Sequence, residues 1–344
     1  MTRVLRWIGR GLLVIVLLAC AILATFRILT FTRESQTAEQ AAPASGHFVS
    51  AGDIKIFVEE DGPKTGLAVV FIHGFGAWSE TWKNTTSVLA ARGFHTVALD
   101  VPPFGFSEKV TDGAFSRQAQ AQRILKVLDT LQLTQVVLVG HSVGGRPTVE
   151  AALLAPDRVK ALVIVDGAFG FGADGQIEEN HPSLLVSTFF AIHPLRNAVL
   201  SATATNPLMT KKLLSSFVAN PDILTPALLS VYQKPFVVKD STNRLGDWLK
   251  VLSVDKDTSL SSQLSNFSKL AMPTLLIWGD QDTITPLAQG QKLNQFISTS
   301  SLSVLKGLGH IPQIEDPVQF NNALLPFLIS HAPKSDVDLG HLAP

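Results

Sequence analysis

Val136–Gly145 reads VVLVGHSVGG: an apolar run, rich in β-branched residues, that passes without a break into Gly-His-Ser-Val-Gly. A strand that is apolar at every position is buried on both faces, as in a parallel sheet covered by helices. A helical stretch, Arg146 to Leu154, follows the motif. Ser142 therefore stands on a sharp strand-to-helix turn, where the residues two before and two after it must be small to avoid collision; both are glycine, Gly140 and Gly144. A serine hydroxyl is a poor nucleophile until a base reaches it, and such a turn presents it to one. G-x-S-x-G alone also fits an idle glycine-rich loop; its place between a buried strand and a helix argues for the elbow.

Outward from this segment the same rhythm recurs. Apolar runs at Ala68–Ile72, Thr96–Leu99, Leu162–Val165, Thr274–Trp278 and Leu302–Leu305 read as further buried strands, and His47–Ser50 and Ile54–Glu59 as two short opening strands. Between them, Gln118–Leu131 sets Ala121, Ile124, Leu125, Leu128 and Leu131 on one helical stripe. The fold class is α/β, with a mostly parallel central sheet flanked by helices. The alternation stops after Asp166: residues 167–267 are proline-rich and helix-like, with no convincing strand. A helical insertion between two strands of one sheet belongs above the carboxyl ends of the strands, where open α/β sheets bind ligands. The expected organisation is a core of 47–166 and 268–333, a helical cap of 167–267 and a tail of 334–344.

A base and an acid for Ser142 are expected at the same rim. His310, in KGLGH after the last strand, is the candidate base, and Asp282, in WGDQD after the strand 274–278, the candidate acid that accepts its Nδ1 proton. Asp166 ends another strand and is a rival; Asp280 is the weaker rival and is expected to tie down its loop. His47, His95, His331 and His341 are assigned surface or structural roles, and His181 and His193 fall in the cap. The oxyanion of a tetrahedral intermediate needs preorganised donors, for which the backbone N–H groups of Val143 and Phe75 are the candidates. Arg146 is expected to pair locally near the elbow, with recognition of a substrate carboxylate as the sharper reading.

Composition narrows the function classes. Charged residues are only 16% of the 344, against roughly 25% in an average soluble domain. Lys+Arg 28 balance Asp+Glu 28, so no global field draws the chain to nucleic acid. The lone Cys20 excludes an internal disulfide and a cysteine-rich metal site. Gly11–Phe26 is uncharged, with Arg3, Arg6 and Arg10 before it and Arg27 after it. With the arginines snorkelling, the stretch reads as a signal anchor over residues 1–31; a cleaved signal peptide and a lipoprotein acylated on Cys20 are the alternatives. The excess of arginine before the span favours a cytoplasmic N-terminus with the globular part on the far, periplasmic or luminal, side. Residues 32–46, polar and small, read as a flexible linker.

Together HGFG at 73–76, LDVPPFGFSE at 99–108, GHSVGG at 140–145, WGDQD at 278–282 and GLGH at 307–310 resemble the α/β-hydrolase fold superfamily, specifically its lidded serine hydrolases, over about residues 47–331. Two positions depart from that pattern: Pro103 stands where many relatives have glycine, and Pro147 falls early in the helix after Ser142. The resemblance implies acyl transfer, since dehalogenases and epoxide hydrolases of this fold carry an aspartate in place of Ser142. The expected activity is hydrolysis of a carboxylic ester through an acyl-enzyme on Ser142, with no metal or organic cofactor. Apolar cap residues such as Phe189, Phe217, Tyr232 and Phe236, together with the tether, point to an apolar small-molecule ester. A carbon-carbon bond hydrolase of diketone ring-cleavage products, a cofactor-free haloperoxidase-like activity and a membrane-tethered binding protein without turnover are the alternatives.

Overall fold

The computed structural model describes residues 2–110, 115–170, 182–254 and 256–332. Phe171, His181, His341 and the tail 334–344 lie outside the described residues. Eight strands, β1 (His47–Ser50), β2 (Lys55–Asp61), β3 (Ala68–Ile72), β4 (His95–Leu99), β5 (Val136–His141), β6 (Val159–Val165), β7 (Thr274–Gly279) and β8 (Ser300–Leu305), form one sheet in the order β1-β2-β4-β3-β5-β6-β7-β8. The pairs β1/β2 and β2/β4 are antiparallel and the rest parallel. The described helices are α1 (Thr2–Arg33), α2 (Ala38–Ala41), α3 (Lys83–Ala90), α4 (Arg117–Thr130), α5 (Gly145–Leu154), α6 (Leu184–Ala191), α7 (His193–Ala202), α8 (Thr210–Leu214), α9 (Pro226–Gln233), α10 (Ser241–Ser253), α11 (Leu287–Phe296), α12 (Pro312–Glu315) and α13 (Pro317–His331).

Every residue of β3, β4, β5 and β7 is buried, because helices cover both faces of the sheet. One core layer joins Val70, Ile72, Leu138, Leu276 and Trp278 to the inner stripe of α4 (Ala121, Ile124, Leu128). The other joins Val69, Phe71, Val139 and Ile277 to Trp82 and to Phe320, Leu324 and Leu328 of α13. Helix α4 begins where Ser116 accepts a hydrogen bond from the Ala119 N–H, satisfying one of the free donors of its first turn. The last strand departs from the expectation of burial on both faces: Leu302 is half-buried and Val304 exposed, since β8 is the sheet's edge. From β3 the chain steps outward to β4 and then returns past β3 to β5. The loops leaving β3 and β5 consequently diverge, and the crevice between them is where a ligand site is favoured.

Between β6 and β7 the described elements, α6 to α10, are all helical. The insertion is tied to the core where it returns: Glu150 of α5 accepts from the N–H groups of Leu260 and Ser261, and Arg117 pairs with Asp257.

The N-terminal region differs from the sequence expectation. Helix α1 runs to Arg33, two residues past the expected boundary, and residues 34–42 pack on the protein instead of forming a free linker. Gln36 bridges to Val238, Glu34 accepts from the Thr242 N–H at 2.9 Å, and Thr37 caps α2 in a capping box with Gln40. Ala38 is buried beside Phe57, Trp78 and Val238. The partners of this polar stretch lie some two hundred residues away in the cap, so its composition alone reads as unsupported chain.

Candidate active site

The turn after β5 forces its residues together. A Cβ on Gly140 or Gly144 would collide with Thr148 or with the His73 carbonyl, and one on Gly74 would stand 2.6 Å from the His141 ring and 3.0 Å from the Ser142 Cβ. Ser142 itself takes φ of +52°, a left-handed conformation that costs a non-glycine residue about 1–3 kcal/mol and is held only by its surroundings. Its backbone begins a short helical turn (Ser142–Gly144) continuous with α5. Pro147 is the third residue of α5, close enough to the helix start for its missing N–H to be tolerated.

The three residues singled out in sequence meet at this turn. The Ser142 hydroxyl lies 2.7 Å from His310 Nε2, and His310 Nδ1 lies 2.7 Å from Asp282 Oδ2. An ionised carboxylate can only accept, so Nδ1 carries the proton and Nε2 is left to accept from Ser142. Asp282 also accepts from the Thr285 hydroxyl at 2.6 Å and from the N–H groups of Ile284 and Thr285 at 2.7 and 3.0 Å. Burial alone would raise its pKa; the His310 bond and charge together with the Thr285 donors outweigh burial and hold it below the ordinary carboxylate value.

Asp166 lies beside this pair, with ligand-capable atoms of Asp166, Asp282 and His310 all within 4.8 Å of one another. It does not take the His310 proton. Its Oδ1 accepts the Gly279 N–H at 2.9 Å, and its Oδ2 is buried with no hydrogen-bond partner. Burial, reinforced by the Asp282 charge, pushes its pKa well up and favours its protonated form. Asp280 accepts from the Gly307 N–H at 2.8 Å and ties the β7 loop to the His310 loop. Both ring nitrogens of His310 are engaged, by Asp282 and by Ser142, which leaves no free donor there for a metal.

Several supporting groups were not singled out by sequence. His141 places Nε2 2.7 Å from the His310 carbonyl and so holds the His310 backbone; burial, then the neighbouring His310, lowers its pKa to about 3 and keeps it neutral. His73 donates from Nδ1 to the Gly74 carbonyl at 2.8 Å and accepts the Val101 N–H at Nε2 at 2.9 Å. Burial lowers it to about 4. Asp100 of the LDVPPFGFSE motif accepts from the N–H groups of Ser79 and Phe106, both at 2.7 Å, clamping the β3 and β4 loops; burial raises it to about 7. Glu315 accepts from the N–H groups of Asn220 in the cap and Gly309, coupling the cap to the His310 loop. Their motif spacing carries no signal of these pairings; only the two histidines' places inside HGFG and GHSVGG hinted at a role.

Among the described residues, the Phe75 N–H has no hydrogen-bond acceptor, and the Val143 N–H lies at the start of a helical turn, where donors are left free. Arg146 donates from Nε to the Ala168 carbonyl, the local pairing expected of it, and burial together with Arg117 lowers its pKa to about 9. His95 is buried against Glu60 at 2.7 Å, a structural role.

The cap closes over Ser142. Phe75, Ala77, Phe217, Tyr232, Ile311 and Gln313 join His141, Ser142 and His310 around a cavity of about 10 Å³, room for about one water. Phe75, Phe217 and Tyr232 also border a second cavity, about 20 Å³, that runs toward Phe104, Leu213, Leu214, Phe236 and Leu245. Among the described residues, no Asp, Glu, Lys or Arg lines either one. The Phe217 carbonyl accepts the His310 N–H at 2.7 Å, so the cap rests directly on the His310 loop.

Comparison with known proteins places this geometry. An uncharacterized hydrolase, YugF, of Bacillus subtilis is 26% identical over 260 residues, covering 76% of this chain and 89% of its own length. A 2-hydroxy-6-oxononadienedioate/2-hydroxy-6-oxononatrienedioate hydrolase of Dechloromonas aromatica is 25% identical over 298 residues, covering 86% of this chain and 98% of its own. A bacterial membrane phospholipase A of known structure superposes with a TM-score of 0.66 at 24% identity, covering 96% of this chain and 99% of that one. The model of a family described as the alpha/beta hydrolase fold matches residues 68–317, from the start of β3 to the start of α13. With that match spanning strands β3 to β8, the elbow and the loops that carry Asp282 and His310, the chain belongs to the α/β hydrolase fold family.

Proposed function

We propose that this protein is a serine hydrolase in which Ser142 attacks a carbonyl carbon, His310 takes its proton and Asp282 orients and stabilises the resulting imidazolium. The observation that carries the reading is the unbroken run of two 2.7 Å hydrogen bonds from Ser142 through His310 to Asp282. The N–H groups of Val143 and Phe75 receive the oxyanion, and loss of one such donor typically costs about 10²- to 10³-fold in rate.

The relatives favour carbon-carbon cleavage over the ester hydrolysis expected from sequence. A 2-hydroxy-6-oxo dienedioate contains no ester, so a hydrolase named for it must break a bond beside a ketone. Carried to this chain, Ser142 Oγ adds to the ketone carbon. With the dienol ketonised, its 2-hydroxyl proton moved to C5, the tetrahedral intermediate collapses by breaking the C5–C6 bond, and the electron pair passes from C5 through the 3,4-double bond to the 2-oxo group as a dienolate. The proton taken up by His310 returns to that fragment, and water, deprotonated by the same histidine, releases the acyl group from Ser142.

One observation favours ester cleavage as a second reading. Among the described residues the cavities are lined without a cation, and a carboxylate buried without a partner is strongly disfavoured; a neutral ester needs none. On both readings α1 serves as the anchor, long and apolar enough to cross a bilayer, with the face of Val4–Ile22 exposed.

The test assays the full chain and Ser142→Ala against a 2-hydroxy-6-oxo dienoate, followed by loss of its absorbance, and against neutral p-nitrophenyl esters. Turnover of the dienoate that disappears in Ser142→Ala is the expected result. Turnover of esters alone moves the assignment to the second reading. Folded protein that turns over neither and is not labelled by a fluorophosphonate overturns the proposal.

A further inference from the structure

The cap carries an apolar surface that the active site does not use. No Asp, Glu, Lys or Arg occurs between Glu179 and Arg196. In α6 and the turn into α7, Leu184 and Leu185 are 82% and 83% exposed, and Ile192 and Leu195 are 45% and 42% exposed. Side chains of this size normally leave water, and a contiguous exposed set marks an interaction surface.

Hydrogen bonds fix where this surface lies relative to α1. Asn243 Oδ1 accepts from both Arg27 (2.7 Å) and Asn197 (2.9 Å), which puts Asn197 of α7 level with Arg27. Thr242 bonds both Glu34 (2.9 Å) and Thr205 (2.8 Å), which puts the residues just after α7 level with Glu34. Helix α7 thus runs alongside α1 in the same direction. Thr30 is buried in this contact, and Leu23, Phe26 and Arg27, spaced as one helical face, are half-buried. His193 precedes Asn197 by four residues, about 6 Å at 1.5 Å per residue, and so stands level with Leu23, inside the apolar run that ends at Phe26. Helix α6 joins α7 there with a bend of 90°. A helix at right angles to one that follows the span lies across the span, in the plane of a membrane surface.

We infer that α6 is an interfacial helix whose exposed leucines enter the lipid bilayer beside α1, giving the cap a membrane contact of its own. The partner is the boundary between headgroups and acyl chains, where such helices bury their apolar face by about 5–10 Å. This rests on the reading of α1 as a membrane anchor, and its continuity with α1 is what selects lipid over another occupant. The contacts of Arg27 and Asn197 with Asn243, and of Glu34 with Thr242, tie α1 to α7 and α10 of the cap.

The test uses the full chain in phosphatidylcholine–phosphatidylglycerol vesicles, with nitroxide labels read for collision with oxygen, which concentrates in lipid, and with a water-soluble nickel complex. The native Cys20, exposed on α1, reports the anchor. Leu184→Cys, Leu185→Cys and the control Lys306→Cys, each in a Cys20→Ser background, report the cap and an exposed, charged position of the core. The expected result is an oxygen-to-nickel ratio at positions 184 and 185 several-fold above that at 306, with position 20 also high. A high ratio at 20 with ratios at 184 and 185 equal to that at 306 overturns the inference and leaves the anchor standing. Low access to both reagents at 184 and 185 shows a protein partner, such as a second copy, and overturns it as well. A low ratio at 20 overturns the anchor and the inference together.

Discussion

Replacing Asp282 by asparagine keeps size and shape but reverses one polarity. Oδ1 of Asp282 accepts two backbone N–H groups, from Ile284 and Thr285, while Oδ2 accepts His310 Nδ1 and the Thr285 hydroxyl. In the amide the single oxygen must face the two N–H groups, which an NH₂ cannot satisfy, so the NH₂ points at His310. It donates to Nδ1 and thereby fixes the tautomer with the proton on Nε2, facing the Ser142 hydroxyl. That imidazole cannot accept the serine proton. In the analogous worked case of a serine protease, the same change of tautomer lowers kcat by about 10⁴-fold, or about 5.5 kcal/mol at 1.36 kcal/mol per tenfold. Asp166→Asn serves as the comparison: burial favours the neutral form of Asp166, whose side chain accepts the Gly279 N–H, so its turnover is expected to stay within about tenfold of the parent. The assay is steady-state turnover of the substrate found active, alongside the rate of fluorophosphonate labelling. Near-parental turnover in Asp282→Asn with collapse in Asp166→Asn would refute the reasoning and make Asp166 the working acid.

Two further outcomes concern pH. Asp166 holds its proton in the folded chain at a pH where the unfolded chain has lost it, so its contribution to stability falls as pH rises above the unfolded value of about 3.9 toward the raised folded one. Asp166→Asn is therefore expected to gain in melting temperature over the parent progressively from pH 4 to pH 7; a difference independent of pH would show that Asp166 is ionised. His73 is the reverse case: neutral when folded, with a pKa lowered to about 4, against 6.5 when free. The unfolded chain takes up the proton first, so the urea midpoint is expected to fall as pH drops from 6.5 toward 4, and less so in His73→Gln; equal slopes would refute a buried neutral imidazole.

Much of the site was legible because its chemistry hangs on strand ends. An apolar run followed by glycines marks the carboxyl end of a buried strand, and Ser142, Asp282 and His310 each follow such a run, so a sheet that is parallel brings all three to one rim. The helical cap was legible as the place where that rhythm stopped. Strand register, the order of β3, β4 and β5, and the edge position of β8 were not, because period and apolarity describe one segment at a time.

The sequence by itself determined the fold class, the elbow at Ser142, the candidate base and the two acids within reach, since these follow from local hydrophobic pattern and the steric demand for small residues around a tight turn. Only the tertiary structure decided which acid meets His310, because β6 and β7 are neighbours and both Asp166 and Asp282 leave their strands at the same edge. It alone showed that residues 34–42 are packed and that α1 is joined to the cap. Those contacts pair side chains as far apart as Arg27 and Asn243, 216 residues along the chain, and a pairing at that distance has no period for a sequence to display.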